Sequence, residues 1–110
     1  PKADADHVYF AHALSYDAAE PGVPRDMFVA ALAAEGISVG AGYVRPLYGL
    51  PIFGMKPNGH WPNVERAHYS QVITHQFIRP HLTHGDLDDV AAAFHKIANN
   101  AFDLWSRTAA

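Results

Sequence analysis

Tyr43, Arg45 and Tyr48 are the residues of this chain whose types and spacing best suit chemistry. Two phenols and a guanidinium at a strand end offer fixed donors on rigid stems, and such a cluster can bind a polyhydroxylated or anionic small molecule. The competing reading packs both tyrosines under the loop that follows and leaves Arg45 in water. Eight histidines among 110 residues raise the question of a metal, with His75, His81 and His84 the tightest group. A zinc site needs ligands converging at about 2 Å, usually as two short-spaced pairs, and no Cys or second His pair completes one. His81 to His84 straddle a Pro-bounded turn and a helix cap, where imidazoles can simply satisfy backbone groups. His12 shares the parity of Val8, Phe10 and Leu14 and reads as a hydrogen-bonded core residue. His68 and His95 fall on expected helices, with no partner that spacing can name.

Other chemistries find less support. Ser15, Ser38, Ser70 and Ser106 lack a G-x-S-x-G elbow or any comparable local pattern. A phosphate cradle requires a glycine-rich turn from a strand into a helix, whereas Gly36 follows a helix and Gly40 and Gly42 lie inside a strand. Asp86, Asp88 and Asp89 crowd the first turn of the last helix, where the helix dipole accounts for them.

The elements that must position these residues alternate along the chain. His7 to Tyr16 has the period-two pattern of a half-buried strand, with Val8, Phe10, Leu14 and Tyr16 on one side. After a loop at Asp17 to Val23, Pro24 suits a first helical turn, Gly36 suits the position past the end, and Arg25 to Glu35 reads as a helix. Its apolar stripe is Met27, Phe28, Ala31 and Leu32. Ile37 to Val44 reads as a second strand whose Gly40 and Gly42 leave one side open to close approach by a backbone, a helix or a ligand. Arg45 to Pro62 is a long connection with four prolines and with Tyr48, Leu50, Ile52, Phe53 and Trp61, side chains that a solvated loop does not need. Some partner surface is expected to bury them. Asn63 to Gln71 suits a short helix, Val72 to Arg79 a third strand, and Thr83 can cap a long amphipathic helix carrying Leu87, Val90, Phe94, Ile97, Ala101 and Leu104. The expected architecture is α+β in two layers: a small, mostly antiparallel three-stranded sheet covered by helices.

Composition sets the outer bounds. A chain of 110 residues, 49% hydrophobic and 17% charged, has the size of one domain, spanning 1–110 with a polar stub at 1–6. The formal charge is −3 and the basic residues are scattered, so no nucleic-acid footprint is visible. Apolar runs are broken every few residues, which excludes a helical membrane span. Without cysteine, disulfides and thiolate chemistry are excluded, and the cytoplasm is the default expectation.

One block is familiar. Arg25 to Phe53, RDMFVAALAAEGISVGAGYVRPLYGLPIF, together with Thr83 to Ile97, THGDLDDVAAAFHKI, resembles the C-terminal segment of the DegT-type sugar aminotransferases, PLP-dependent enzymes of the aspartate aminotransferase fold. The resemblance rests on Glu35-Gly36-Ile37, Tyr43, Pro46-Leu47 and Tyr48, and on Pro80-His81-Leu82-Thr83 leading to Asp89-Val90. His7 to Leu14 matches the strand that opens the family's small domain.

The resemblance implies a fold-type-I small domain that closes one side of the cleft of a large PLP-binding domain, placed upstream of Pro1. The whole enzyme would hold pyridoxal 5′-phosphate on a lysine of that large domain. It would move an amino group from an amino-acid donor to a keto sugar or keto-cyclitol, as a homodimer. None of Lys2, Lys56 and Lys96 matches the family's PLP lysine, so this segment alone is expected to bind no cofactor and to be inactive. By carry-over Tyr43 and Tyr48 face the substrate, Tyr48 standing where the family often has histidine; Arg45 joins them through its shared strand face. The alternatives are a stand-alone binding or interaction module and a His-rich metal-binding domain.

Overall fold

The computed structural model describes residues 3–4, 6, 8–75 and 79–108, the last two by backbone only. Among these, three short strands make one antiparallel sheet in the order β1-β3-β2, with β1 His12–Ser15, β2 Gly40–Ala41 and β3 Val72–His75. The register pairs His12 with His75 and Ser15 with Val72 on one side of β3, and Gly40 with Thr74 on the other. The helices are α1 Arg25–Ala34, α2 Pro62–Arg66, α3 His84–Asn99 and α4 Ala101–Thr108, with a 3₁₀ turn at Leu47–Gly49 and a π-helical turn at Ala67–Gln71.

Chain ends dictate the helices. Pro24 stands just before α1, and its carbonyl accepts from Met27 and Phe28. At the other end the Ile37 N–H donates to Leu32 O and the Gly36 N–H to Ala33 O, while Gly36 takes φ +86°. These are the two bonds of a Schellman motif, which needs the left-handed conformation that glycine reaches without a Cβ penalty. At α3 the Asp86 N–H donates to Thr83 Oγ1 at 3.2 Å and the Thr83 N–H donates to Asp86 Oδ2 at 2.7 Å, a complete capping box. Those bonds, with His81 nearby, hold the Asp86 carboxyl below its ordinary range.

The core lies where α1, α3 and α4 meet the sheet. Phe28 and Leu32 of α1, Ile73 of β3, Ile97 of α3 and Ala101 of α4 pack with Tyr16 and Val23. The buried Tyr16 hydroxyl donates to Val23 O at 2.6 Å, fastening the loop before α1, and burial pushes its pKa up. Lys96 on α3 reaches Glu35, at the end of α1, at 2.8 Å.

Three expectations change. Among the described residues β1 spans His12–Ser15, shorter than the expected His7 to Tyr16, and Val8 and Phe10 are 90% and 83% exposed. Gln76, Phe77 and Ile78, the rest of the expected third strand, lie outside the described residues, as do Lys2 and His7. β2 is two residues long because Gly42 at φ +75° and Val44 at φ +36° end the alternation that Ile37 to Val44 implies. The last helix breaks at Asn100, whose Nδ2 donates to Lys96 O at 2.7 Å. An asparagine that bonds its own backbone offers the chain an exit from the helix, and Ala101 restarts it against the core.

Candidate functional site

A buried arginine organises the region around the sequence-predicted residues. Arg25, 6% exposed, opens α1 and spends all five of its N–H donors. Nη1 reaches His68 O at 2.6 Å and Val72 O at 3.1 Å, and Nη2 reaches Tyr69 O at 3.0 Å. Nε and the other Nη2 proton go to Asp26 Oδ1 at 3.0 and 2.8 Å. The guanidinium thus holds the carbonyls that the π-turn leaves without partners, a need that every helix end has. Burial, and then the nearby Arg25 charge, lower the pKa of His68 in that turn.

Against this turn lies Gly42, and here the absence of a side chain is required. A Cβ on Gly42 would stand 2.7 Å from His68 O, and one on Gly40 would stand 3.0 Å from Thr74 Oγ1. Of the three possible close neighbours expected beside these glycines, backbone and a strand side chain fill the space. The Gly42 N–H donates to Val72 O at 2.7 Å, and Thr74 Oγ1 donates to Gly42 O at 2.7 Å.

From this anchor the chain leads through Tyr43, Arg45 and Tyr48, which the structure distributes over two grooves. Tyr43, half exposed, borders a groove of about 520 Å³ that runs from Ser38 to Val44 and is closed by Thr74 and His75. Tyr48 borders a second groove of about 360 Å³ with Leu47, Phe53, Met55, Trp61 and Val64. Arg45 lies on neither wall. Its stem covers Gly49 and its Nη1 donates to Gly49 O at 3.3 Å, folding the side chain over the 3₁₀ turn. The shared strand face inferred for Tyr43 and Arg45 is absent, since the strand ends at Ala41.

Tyr48 is the most constrained of the three. Its ring stacks on Trp61 at 4.7 Å and 20°. The phenol pKa is raised, first by burial and then by the Glu65 carboxylate and the Tyr69 phenol. Both neighbours are close to the buried hydroxyl, yet none of the described residues meets hydrogen-bond geometry with it. Around the stack, every residue from 51 to 64 is exposed, including Ile52 at 83%. Leu47, just before them, is 70% exposed. Ile52, Phe53, Met55 and Trp61 therefore stand in water rather than under the fold, while Tyr48 and Leu50 are half-buried.

His12 Nδ1 and His75 Nε2 lie 2.7 Å apart across β1 and β3, consistent with the expected hydrogen-bonded His12. Burial and then His12 lower the pKa of His75. His81, His84 and His95 are exposed, and among the described residues no group of three or more His, Cys, Asp or Glu is placed to hold a metal ion. Among the described residues, no helix is long and apolar enough to cross a membrane. Sequence reasoning missed Arg25. Its signal was electrostatic: a cation in the first turn faces the positive end of the helix dipole, so its position there implies another use.

Comparison with models of known protein families, with curated proteins and with solved structures finds no match to this chain.

Proposed function

We propose that this chain is the small domain of a DegT-type, PLP-dependent aminotransferase, covering one side of the cleft of a large domain and presenting Tyr43 and Tyr48 to a keto sugar or keto-cyclitol. The observation that carries this reading is the apolar surface on the long connection. Leu47, Phe53, Met55, Trp61 and Val64 stand exposed around an open groove, next to the motif that resembles the family. Contiguous apolar surface of this kind marks an interaction site. A large domain packed against it would bury the loop and bring the Tyr48 groove to the mouth of a cleft.

Among the described residues no lysine is placed to hold PLP. Lys96 is taken by Glu35 and Lys56 sits in the exposed loop. The cofactor supplies the electron sink for amino transfer in such enzymes. This chain's share is positional: its tyrosines orient the acceptor and its loop excludes water.

The test is cofactor retention. After mixing with PLP and gel filtration, the isolated chain is expected to carry no visible absorption. The same chain expressed with the large domain should retain the cofactor and transfer the amino group of glutamate to a keto sugar or keto-cyclitol. Stoichiometric, retained PLP on the isolated chain would remove the proposal. The exposed loop also suits a stand-alone docking module, and that reading is favoured if the coding frame supplies no PLP-binding domain.

A further inference from the structure

The tip of the long connection reads Pro57-Asn58-Gly59-His60-Trp61, and three hydrogen bonds hold it. Glu65 Oε1 accepts the N–H of Asn58 and the N–H of Gly59, both at 3.1 Å. Asn58 Oδ1 accepts the N–H of His60 at 3.1 Å. Gly59 takes φ +79°, and no heavy atom lies within 4 Å of the place its Cβ would occupy. Both Asn58 and Gly59 are exposed.

Together these contacts assemble the parts of an intramolecular acyl transfer. Such a reaction needs a nucleophile close to a carbonyl carbon, an acceptor for the nucleophile's proton, and a donor where negative charge develops on oxygen. The Gly59 nitrogen is the nucleophile, and closing it on Asn58 Cγ makes a five-membered ring. Its proton already points at a carboxylate. The Asn58 carboxamide oxygen, which gains charge as the nitrogen attacks, already receives the His60 N–H. Glycine after the asparagine leaves no side chain in the way.

We propose that Asn58-Gly59 is a self-modification site, where Glu65 serves as base and the His60 N–H as oxyanion donor, so that Asn58 converts to aspartate or isoaspartate without a second protein. In the first step the bond from Gly59 N to Asn58 Cγ forms and the bond from Cγ to Nδ2 breaks. The Gly59 proton passes through Glu65 to the departing nitrogen, which leaves as ammonia. Water then opens the succinimide. Cleavage at Cγ gives aspartate in a normal backbone, and cleavage at the main-chain carbonyl gives isoaspartate; no electrons are exchanged with any other reactant.

The product changes the loop it sits in. A second carboxylate beside Glu65 repels it, which weakens the two N–H contacts that Glu65 makes. The same turn runs directly into Trp61, which stacks on Tyr48. Conversion therefore loosens one wall of the Tyr48 groove and makes the chain one charge more negative.

The experiment follows the purified chain at neutral pH by peptide mass spectrometry, reading the gain of about one mass unit at residue 58 as an amide becomes an acid. An isoaspartyl methyl-acceptor assay runs in parallel. A synthetic peptide from Met55 to Asn63, which lacks Glu65, gives the unassisted rate. The chain should convert several-fold faster than the peptide, and Glu65→Gln should slow it about tenfold, a modest share of what a positioned base can supply. Glu65→Asp, which keeps the charge, should recover part of the rate, and circular dichroism checks that both variants fold. A chain slower than the peptide, or one that Glu65→Gln accelerates, overturns the proposal, because the contacts would then hold the nitrogen protonated and protect it. Equal rates in chain and peptide overturn it as well.

Discussion

Removing the Arg25 guanidinium tests whether the buried arginine is what holds the π-turn against β2. In Arg25→Ala the main-chain carbonyls of His68 and Tyr69 lose their guanidinium donors, while Val72 O keeps the shorter bond from the Gly42 N–H. A buried acceptor left unsatisfied costs about 1–3 kcal/mol. The total falls short of two full penalties at the upper end of that range, because Arg25 borders an open groove with Tyr69 and Trp105 through which water can reach the vacated space. The desolvation cost of the guanidinium itself is also relieved. A net loss of about 3 kcal/mol is expected, a large part of the 5–15 kcal/mol that stabilises an ordinary domain. The ion pair contributes little to this figure: Asp26 is 73% exposed, and exposed pairs are worth about 0–1 kcal/mol, so Asp26→Ala should cost no more than that. Arg25→Lys keeps the charge but lacks the planar fork that reaches three carbonyls, and should fall between the two. Urea unfolding followed by tryptophan fluorescence measures all three. If Asp26→Ala costs as much as Arg25→Ala, or if Arg25→Ala costs less than about 1 kcal/mol, the carbonyl-clasp argument is wrong.

Two further outcomes follow from geometry already described. Gly42→Ala sets a methyl 2.7 Å from His68 O at φ +75°, whereas Gly36→Ala at φ +86° meets open space. Backbone strain of about 1–2 kcal/mol applies to both and overpacking of about 1–3 kcal/mol to Gly42 alone, so unfolding midpoints that drop equally would refute the close-approach account. The buried His75, with His68, makes stability depend on acid. Both native pKa values lie below the ordinary 6.5, so the unfolded chain binds protons more readily. The stabilisation is therefore present above 6.5 and is lost as pH falls through the lowered native values. A urea midpoint unchanged between about pH 7.5 and pH 5 would contradict it, and His75→Gln should flatten the profile.

The helices were legible because their signals are local. Pro24, Gly36 and the Thr83–Asp86 pair act within a few residues of themselves, and each makes in the structure the contacts its type implies. Strands depend on neighbours. Val8 and Phe10 carry the right alternation, but alternation buries a side chain only where another layer covers it, and both stand in water. Gly40 and Gly42 announced a close approach without revealing what approaches. That is a tertiary fact, and the answer is Thr74 Oγ1 at Gly40 and, at Gly42, the His68 carbonyl held in place by Arg25.

The candidate site shows the same division in a sharper form. Tyr43, Arg45 and Tyr48 were grouped on the assumption that a strand carries the first two on one face. In the structure a turn does the positioning. Val44, a β-branched residue at φ +36°, occupies a backbone region that costs about 1–3 kcal/mol and persists only where its surroundings enforce it. The enforcing contacts lie on both sides: Gly42 is bonded to Val72 and Thr74, and beyond Val44 Pro46 is buried while Arg45 is folded over Gly49. A strained residue between two fixed segments sets the angle between Tyr43 and Tyr48, and so decides that they border two grooves. Any ligand that engages both tyrosines must either span those grooves or be met by a change at Val44, which makes that residue the point where the geometry of the site is decided.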